Sequence, residues 1–187
     1  ILNPMLKLPN YMEKTNNHRT PGGYTFEKFE NDVSQAALYD RTISIHNMGS
    51  QGPHNDDPGK SIAKWIKENY NLSSYQKILD MGCTIGNNTL PFKGVFPEAS
   101  VWGVDISRPC LKYAHARACG LGHSINFLQA NAEETPFQGN SFDLVCSRIL
   151  LHETSKKGLR KIILECYRLL KPGGLMIHCD APQFDSI

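Results

Sequence analysis

Two carboxylates in this chain each close a short apolar run. Asp80 ends Ile78-Leu79-Asp80, and Asp105 ends Val101-Trp102-Gly103-Val104-Asp105. Asp80 leads into the turn Met81-Gly82-Cys83-Thr84-Ile85-Gly86, and Asn87-Asn88-Thr89 behind it suits a helix cap. A strand handing over to a helix through such a turn lets backbone N–H groups approach a ligand closely. In an open α/β sheet the carboxyl ends of the strands are where nucleotide-like ligands bind. An acid at the place of Asp105 can accept hydrogen bonds from both ribose hydroxyls of a nucleoside. Ser107 and Pro109 follow it, so a helix N-cap accounts for the same residues. Asn131-Ala132-Glu133 sits where a polar side chain could reach an adenine edge, although alone it is a turn. Ser147-Arg148 ends a further apolar run and leads into Ile149-Leu150-Leu151-His152-Glu153.

The elements that position these residues alternate. Strands are predicted over Lys77–Met81, Ser100–Val104, Ser124–Gln129, Phe142–Ser147 and Leu175–Cys179, and helices over Thr89–Phe96, Arg108–Cys119 and Ser155–Leu170. The last helix carries the apolar stripe Leu159, Ile162, Ile163, Cys166, Leu169 and Leu170, which Lys171-Pro172-Gly173-Gly174 stops. Such alternation means crossover units and a mostly parallel sheet. Upstream, the residues through Pro21-Gly22-Gly23 read as an irregular arm. The apolar spacing of Phe26, Phe29, Val33, Ala36, Ala37 and Ile43 predicts an amphipathic helix from Phe26 to about Ile45. A loop over Asn47–Asp56 follows. Asp57-Pro58 then opens a helix as N-cap and N1, with Ile62, Trp65 and Ile66 on one face.

The 187 residues suffice for one domain with its own core. With 20 Lys and Arg against 18 Asp and Glu, and no dense basic run, no nucleic-acid partner is expected. No apolar stretch approaches the roughly 20 residues that span a bilayer, so no membrane partner is expected either. No signal peptide is recognised, and a cytoplasmic location is the expectation. The six cysteines include no C-x-x-C pair. They read as small buried hydrophobes of a reducing compartment, with no metal site.

Taken in order, Ile78–Gly86, Trp102–Ser107, Asn131–Phe137, Phe142–Glu153 and Leu169–Gly174 resemble the class I S-adenosylmethionine-dependent methyltransferases. The small-molecule group that includes the ubiquinone and menaquinone biosynthesis enzymes is the nearest in pattern. The likeness runs from about Asp57 to Pro182. It implies an α/β, doubly wound, Rossmann-like and mostly parallel sheet with helices on both faces and a topological switch between strands one and four. Residues 1–56 would form an arm and helical cap over the active site, and 57–187 the S-adenosylmethionine-binding domain. The family ordinarily adds an antiparallel hairpin after the fifth strand, for which Asp180–Ile187 leave too few residues.

Carried over, Asp80, Gly82, Cys83, Thr84 and Gly86 would border the methionine part of the cofactor. Asp105 would hold its ribose and Ile106 would pack on its adenine. Asn131, Ala132 and Glu133 would lie near the exocyclic amine, and Ser147 and Arg148 would line the far wall near the methyl group. Thr84 stands where relatives commonly have glycine, and is costly if the position requires positive φ. Asn131 stands where many carry aspartate, which removes charge assistance from a hydrogen bond.

The implied chemistry is methyl transfer to carbon, oxygen or nitrogen of a small-molecule acceptor, with S-adenosylhomocysteine as product. His152, just past the fourth strand, is the candidate catalytic base, and Glu153 could orient it or face solvent. Tyr24, Phe26, Phe29 and Tyr39 offer aromatic surface that a sulfonium favours, with core packing the expected fate of the two phenylalanines. His46 and His54 fall in or beside the loop. Two other readings stand beside this one. A catalytically silent cofactor-binding module would serve as a partner subunit. A nicotinamide-dependent oxidoreductase would need G-x-G-x-x-G after the first strand, which Gly82 and Gly86 do not supply.

Overall fold

The computed structural model describes residues 1–14, 23–70 and 76–181. The arm expected through Gly23 and the expected tail after Cys179 therefore lie partly outside the described residues. Five parallel strands make up the sheet: β1 (Lys77–Met81), β2 (Ser100–Asp105), β3 (Asn126–Gln129), β4 (Phe142–Arg148) and β5 (Leu170–Cys179). Their order is β3-β2-β1-β4-β5, so the chain reverses its direction of winding between β1 and β4. The α/β, doubly wound expectation holds.

Strand alternation explains the two faces. Ile78, Val101, Phe127 and Leu144 point to one side and pack with Ala63, Ile66, Phe92, Leu111 and Ala114. These come from α3 (Asp57–Asn69), α4 (Thr89–Val95) and α5 (Arg108–Gly120). Leu79, Met81, Val104 and Val145 point to the other side. There they meet Ile162, Cys166 and Leu169 of α6 (Lys156–Leu169). Register then aligns the carboxyl ends. Met81 pairs with Val104 and with Ser147, so Gly82, Asp105 and Arg148 emerge at one edge.

Four local expectations are corrected. A short helix, α1 (Asn10–Lys14), interrupts the arm directly after Pro9. The helix expected from Phe26 begins only at Ser34, as α2 (Ser34–His46). Asn31 takes a left-handed φ of 63°, and the Asp32 carboxylate accepts from the N–H groups of Lys28 and Ser34, which ends the incoming turn and starts the helix. Phe26 and Phe29 are consequently exposed rather than packed in the core. Asp57 is the first residue of α3 and Asp56 is the N-cap, while Trp65 is half exposed. Finally, β5 begins at Leu170 rather than Leu175. Phe142 pairs with Leu170 and Leu144 with Leu175, so Lys171–Gly174 form an insertion in the ladder with Gly173 at φ 79°.

All six cysteines are free, and Cys83, Cys110, Cys146 and Cys166 are buried. Among the described residues no helix is long and apolar enough to cross a membrane, and no group of three or more His, Cys, Asp or Glu could hold a metal ion.

Candidate functional site

The first side chain of the site is set by strand alternation. Asp80 shares the face of Ile78, above which α4 begins. Its Oδ2 accepts from Thr89 Oγ1 at 2.6 Å and its Oδ1 from Asn88 Nδ2 at 3.0 Å. Burial raises its pKa to about 6, against the lowering effect of these hydrogen bonds.

Asp105 ends β2 and is also buried. Its Oδ2 accepts the Thr84 N–H at 2.9 Å and its Oδ1 the Ser107 N–H at 2.8 Å. Burial pushes its pKa up while those N–H groups oppose the shift. Thr84 adopts φ 43°, so the cost foreseen for a non-glycine residue is present, about 1–2 kcal/mol. Partners offset it: the N–H reaches Asp105, and the Thr84 side chain hydrogen-bonds Tyr39. Gly82, at φ 67°, would place a Cβ 2.6 Å from Leu150 Cδ1, and Gly86, at φ 82°, one 2.1 Å from Leu90 Cδ1.

Above this floor stand Tyr24 and Tyr39, whose rings meet edge to face at 5.2 Å. Burial raises both phenol pKa values, that of Tyr39 to about 12. Ser107 Oγ donates to the Tyr24 carbonyl. Glu27 accepts from Arg108 Nε at 2.5 Å and Lys112 Nζ at 3.0 Å, which ties the segment before α2 to α5.

Two adjoining cavities lie between floor and roof. One, of about 200 Å³, is walled by Tyr24, Gly82, Thr84, Asp105, Ile106, Ala132 and His152 among others. The second, of about 230 Å³, is more polar and includes Gln51, Asp80, Cys83, Asn87, Asn88 and Arg148. Tyr39, Gly82, Thr84 and Ile149 border both and form a neck. Ile149 is held at φ 55°, an unusual conformation for a β-branched residue. Asn87 Nδ2 and Asn88 Oδ1 are buried without a partner among the described residues. Arg148 donates to Gln51 Oε1 at 3.2 Å.

Of the residues singled out in the sequence, Gly82, Thr84, Asp105, Ile106, Ala132 and His152 wall the first cavity, and Asp80, Cys83 and Arg148 the second. Gly86 lies behind the turn. Ser147 lies in the β4–β5 seam, with Oγ 2.7 Å from His178 Nδ1. Alternation puts Ser147 and Arg148 on opposite faces, so the two do not share a wall. Asn131 and Glu133 line a separate groove under residues 6–11. There Asn131 Oδ1 accepts the Glu133 N–H at 2.9 Å and Glu133 pairs with Lys161 at 2.8 Å. His46 is exposed, with Nδ1 3.0 Å from the Thr42 carbonyl, and the exposed His54 offers its carbonyl to Arg117 at 2.6 Å.

His152 sits on a 3₁₀ turn, Leu151–Glu153. Its Nδ1 is 2.6 Å from Asp180 Oδ1, and its Nε2 is 3.3 Å from Glu153 Oε1. Asp180 also accepts the N–H groups of Leu151 at 2.6 Å and Ala181 at 2.7 Å. Burial works to raise the Asp180 pKa, but His152 and these N–H groups hold it below the usual carboxylate value. Sequence reasoning missed Asp180, although the signal was there: like Asp80 and Asp105, it is an acid closing an apolar strand.

Residues 78–174 match the family described as Methyltransferase domain. The chain belongs to that family, and its sheet is that of the class I S-adenosylmethionine-dependent methyltransferases. Phosphoethanolamine N-methyltransferase 1 of Arabidopsis thaliana is 33% identical over 132 residues, which are 68% of this chain and 26% of that protein. Demethylmenaquinone methyltransferase of Listeria monocytogenes is 33% identical over 129 residues, 66% of this chain and 54% of that one. The chain thus spans about half or less of the length of these curated relatives. A Methanococcus maripaludis crystal structure, provisionally described as an S-adenosyl-L-methionine-dependent methyltransferase, superposes with a TM-score of 0.63 at 21% identity, covering 82% of this chain and 66% of that one.

Proposed function

We propose that the chain holds S-adenosylmethionine in the two joined cavities and passes its methyl group to a small-molecule acceptor, with residues 1–56 as the cap and the rest as the cofactor-binding domain. The observation that carries this reading is the convergence of Asp105, the Gly82–Thr84 turn and the tyrosine roof on one cavity. A carboxylate has about four acceptor sites. Asp105 accepts from the Thr84 and Ser107 N–H groups, with the Ile106 N–H beside them, and its remaining acceptor capacity suits a sugar hydroxyl. Ile106, Ala130 and Ala132 supply an apolar slot for a base. In the second cavity the unpartnered Asn87 and Asn88 atoms and Arg148 suit an amino-acid head group. Neither cavity alone reaches the roughly 300 Å³ typical of ligand sites, so the cofactor would span both through the neck.

When bound, the cofactor supplies an electrophilic methyl on sulfur. The chain's own work is then positional. Holding an acceptor in line over the neck contributes up to about 7–11 kcal/mol through effective molarity. His152 on the cavity wall takes the proton of an oxygen or nitrogen acceptor, worth roughly 10²–10⁴-fold. The names of the relatives favour a small acceptor such as a phosphobase amine or a quinone precursor.

Calorimetry with S-adenosylmethionine and S-adenosylhomocysteine tests the reading. Both are expected to bind, and Asp105→Ala to weaken each by about 10–100-fold, from a lost charged hydrogen-bond pair. Absence of heat with either ligand in the wild-type chain would sink it. Binding without methylation of any small acceptor would favour the silent module.

A further inference from the structure

We propose that Asp180 is a positioning residue for methyl transfer: it holds His152 with Nδ1 protonated and leaves Nε2 to take the acceptor's proton. This rests on the methyltransferase reading above.

The geometry fixes the ring tautomer. An ionised carboxylate only accepts hydrogen bonds, and of the two carboxylates facing the ring Asp180 is the nearer, 2.6 Å from Nδ1 against 3.3 Å between Glu153 Oε1 and Nε2, so the single proton of the neutral ring sits on Nδ1. Asp180 is itself held by three donors. Its Oδ1 receives His152 and the Ala181 N–H, and its Oδ2 the Leu151 N–H. One carboxylate therefore ties the end of β5 to the backbone of the turn that carries His152, and fixes both the position and the face of the imidazole. The β4–β5 register brings them together, since Ser147 pairs with His178 and Arg148 with Cys179. Asp180 is the next residue of one strand, and the histidine turn begins shortly after the other.

With Nδ1 committed, Nε2 is the nitrogen left to exchange a proton with a molecule in the cavity that His152 walls. In the transfer, the acceptor's lone pair forms the bond to the methyl carbon and the carbon–sulfur pair returns to sulfur. The acceptor's proton goes to Nε2. The resulting imidazolium is flanked by Asp180 on Nδ1 and by Glu153, 3.3 Å from Nε2, so the charge is met on both sides. This is the carboxylate–histidine logic of hydrolytic triads, set on a different fold and aimed at a different electrophile.

The test is the ¹⁵N spectrum of the protein labelled in histidine, with His152 assigned by loss of its signals in His152→Gln. The neutral ring is expected to show a pyrrole-type Nδ1 and a pyridine-type Nε2. Asp180→Asn, whose amide can donate to Nδ1, and Asp180→Ala are expected to move Nε2 toward the pyrrole-type range, and Asp180→Glu to restore part of the original pattern. An Nε2–H tautomer in the wild type, or a pattern unchanged in both Asn and Ala variants, overturns the proposal. Calorimetry with S-adenosylhomocysteine on the same samples separates the two failures. Asp180→Asn is expected to leave that affinity within about twofold, and a wild-type chain that does not bind overturns the cofactor reading whatever the tautomer.

Discussion

The floor and the roof of the site are both polar, yet they are held by different kinds of contact. In the floor, Asp80 and Asp105 are buried and serve groups of the turns beside them: Asn88 and Thr89 in one case, Thr84 and Ser107 in the other. In the roof, side chains distant in sequence meet near the surface. Glu27 holds Arg108 and Lys112, Asp40 accepts from Tyr113 and Asn55, and Arg117 reaches the His54 carbonyl. A donor or acceptor stranded in the floor loses its partner with no water to replace it, whereas in the roof Arg108, Lys112, Tyr113 and Arg117 are partly exposed and regain hydration when they part from their partners. The floor should therefore fail as a unit and the roof should open without unfolding what lies beneath.

The strongest break is a methyl group in the floor. Gly86→Ala adds a left-handed φ cost and a 2.1 Å clash with Leu90, together about 4 kcal/mol of lost stability by urea denaturation. Gly173 has nearly the same φ but open space around it, so Gly173→Ala should cost only about 1–2 kcal/mol. Equal losses would mean that packing under the turn is looser than the geometry states.

Next is the charge of Asp80. Its folded pKa of about 6 exceeds the ordinary aspartate value of 3.8, so its contribution to stability is fully present below pH 3.8 and is lost as pH rises through 6. The difference corresponds to about 3 kcal/mol. Asp80→Asn should flatten the fall in stability between pH 4 and 6.5 relative to the wild type. Asp105, whose pKa is also raised, acts in the same sense, and Asp32, Asp180 and Glu165, whose pKa values are lowered, act in the opposite sense; all four are common to both proteins, so the comparison isolates Asp80. An unchanged slope in the variant would place the titration elsewhere.

The same contrast decides what could be read from residues alone. The floor was legible because its logic is local: an apolar run, an acid, then glycines, each a few positions apart. That local pattern is enough to place Asp80 and Asp105 at the carboxyl edge of the sheet. The roof is less legible. Tyr24 and Tyr39 stand out as aromatic surface, but the tie of their segment to α5 depends on Glu27 meeting a helix some eighty residues on, which no periodicity encodes. The resemblance puts Ser147 on the cavity wall beside Arg148, whereas strand alternation separates the pair. At β5, Lys171-Pro172-Gly173-Gly174 stops the preceding helix as its composition suggests, yet the bulge lets the ladder begin before it at Leu170 and continue past it. The His152–Asp180 contact escaped because it depends on the register of two strands rather than on spacing in either.

A test of the roof comes from Glu27→Gln, which keeps the shape of the side chain and removes its charge from Arg108 and Lys112. An ion pair with one well-buried partner is worth about 1 kcal/mol here. Hydrogen exchange over residues 34–46 should quicken about fivefold, while amides of β1 and β4 stay as they were. Equal acceleration in the sheet would show that roof and floor open together.

The smallest and most discriminating change is Tyr39→Phe. A ligand that occupies both cavities passes between Tyr39 and Thr84, so the hydroxyl bond joining them has to give way. That bond contributes about 0.5–1.5 kcal/mol. Removing it lowers the cost of widening the neck, and S-adenosylhomocysteine should bind about two- to tenfold more tightly to the variant by calorimetry. The ring remains, so its edge-to-face contact with Tyr24 is kept. Should the phenylalanine variant bind more weakly instead, the hydroxyl belongs to the ligand's own contacts, and the neck is a binding surface rather than a constriction.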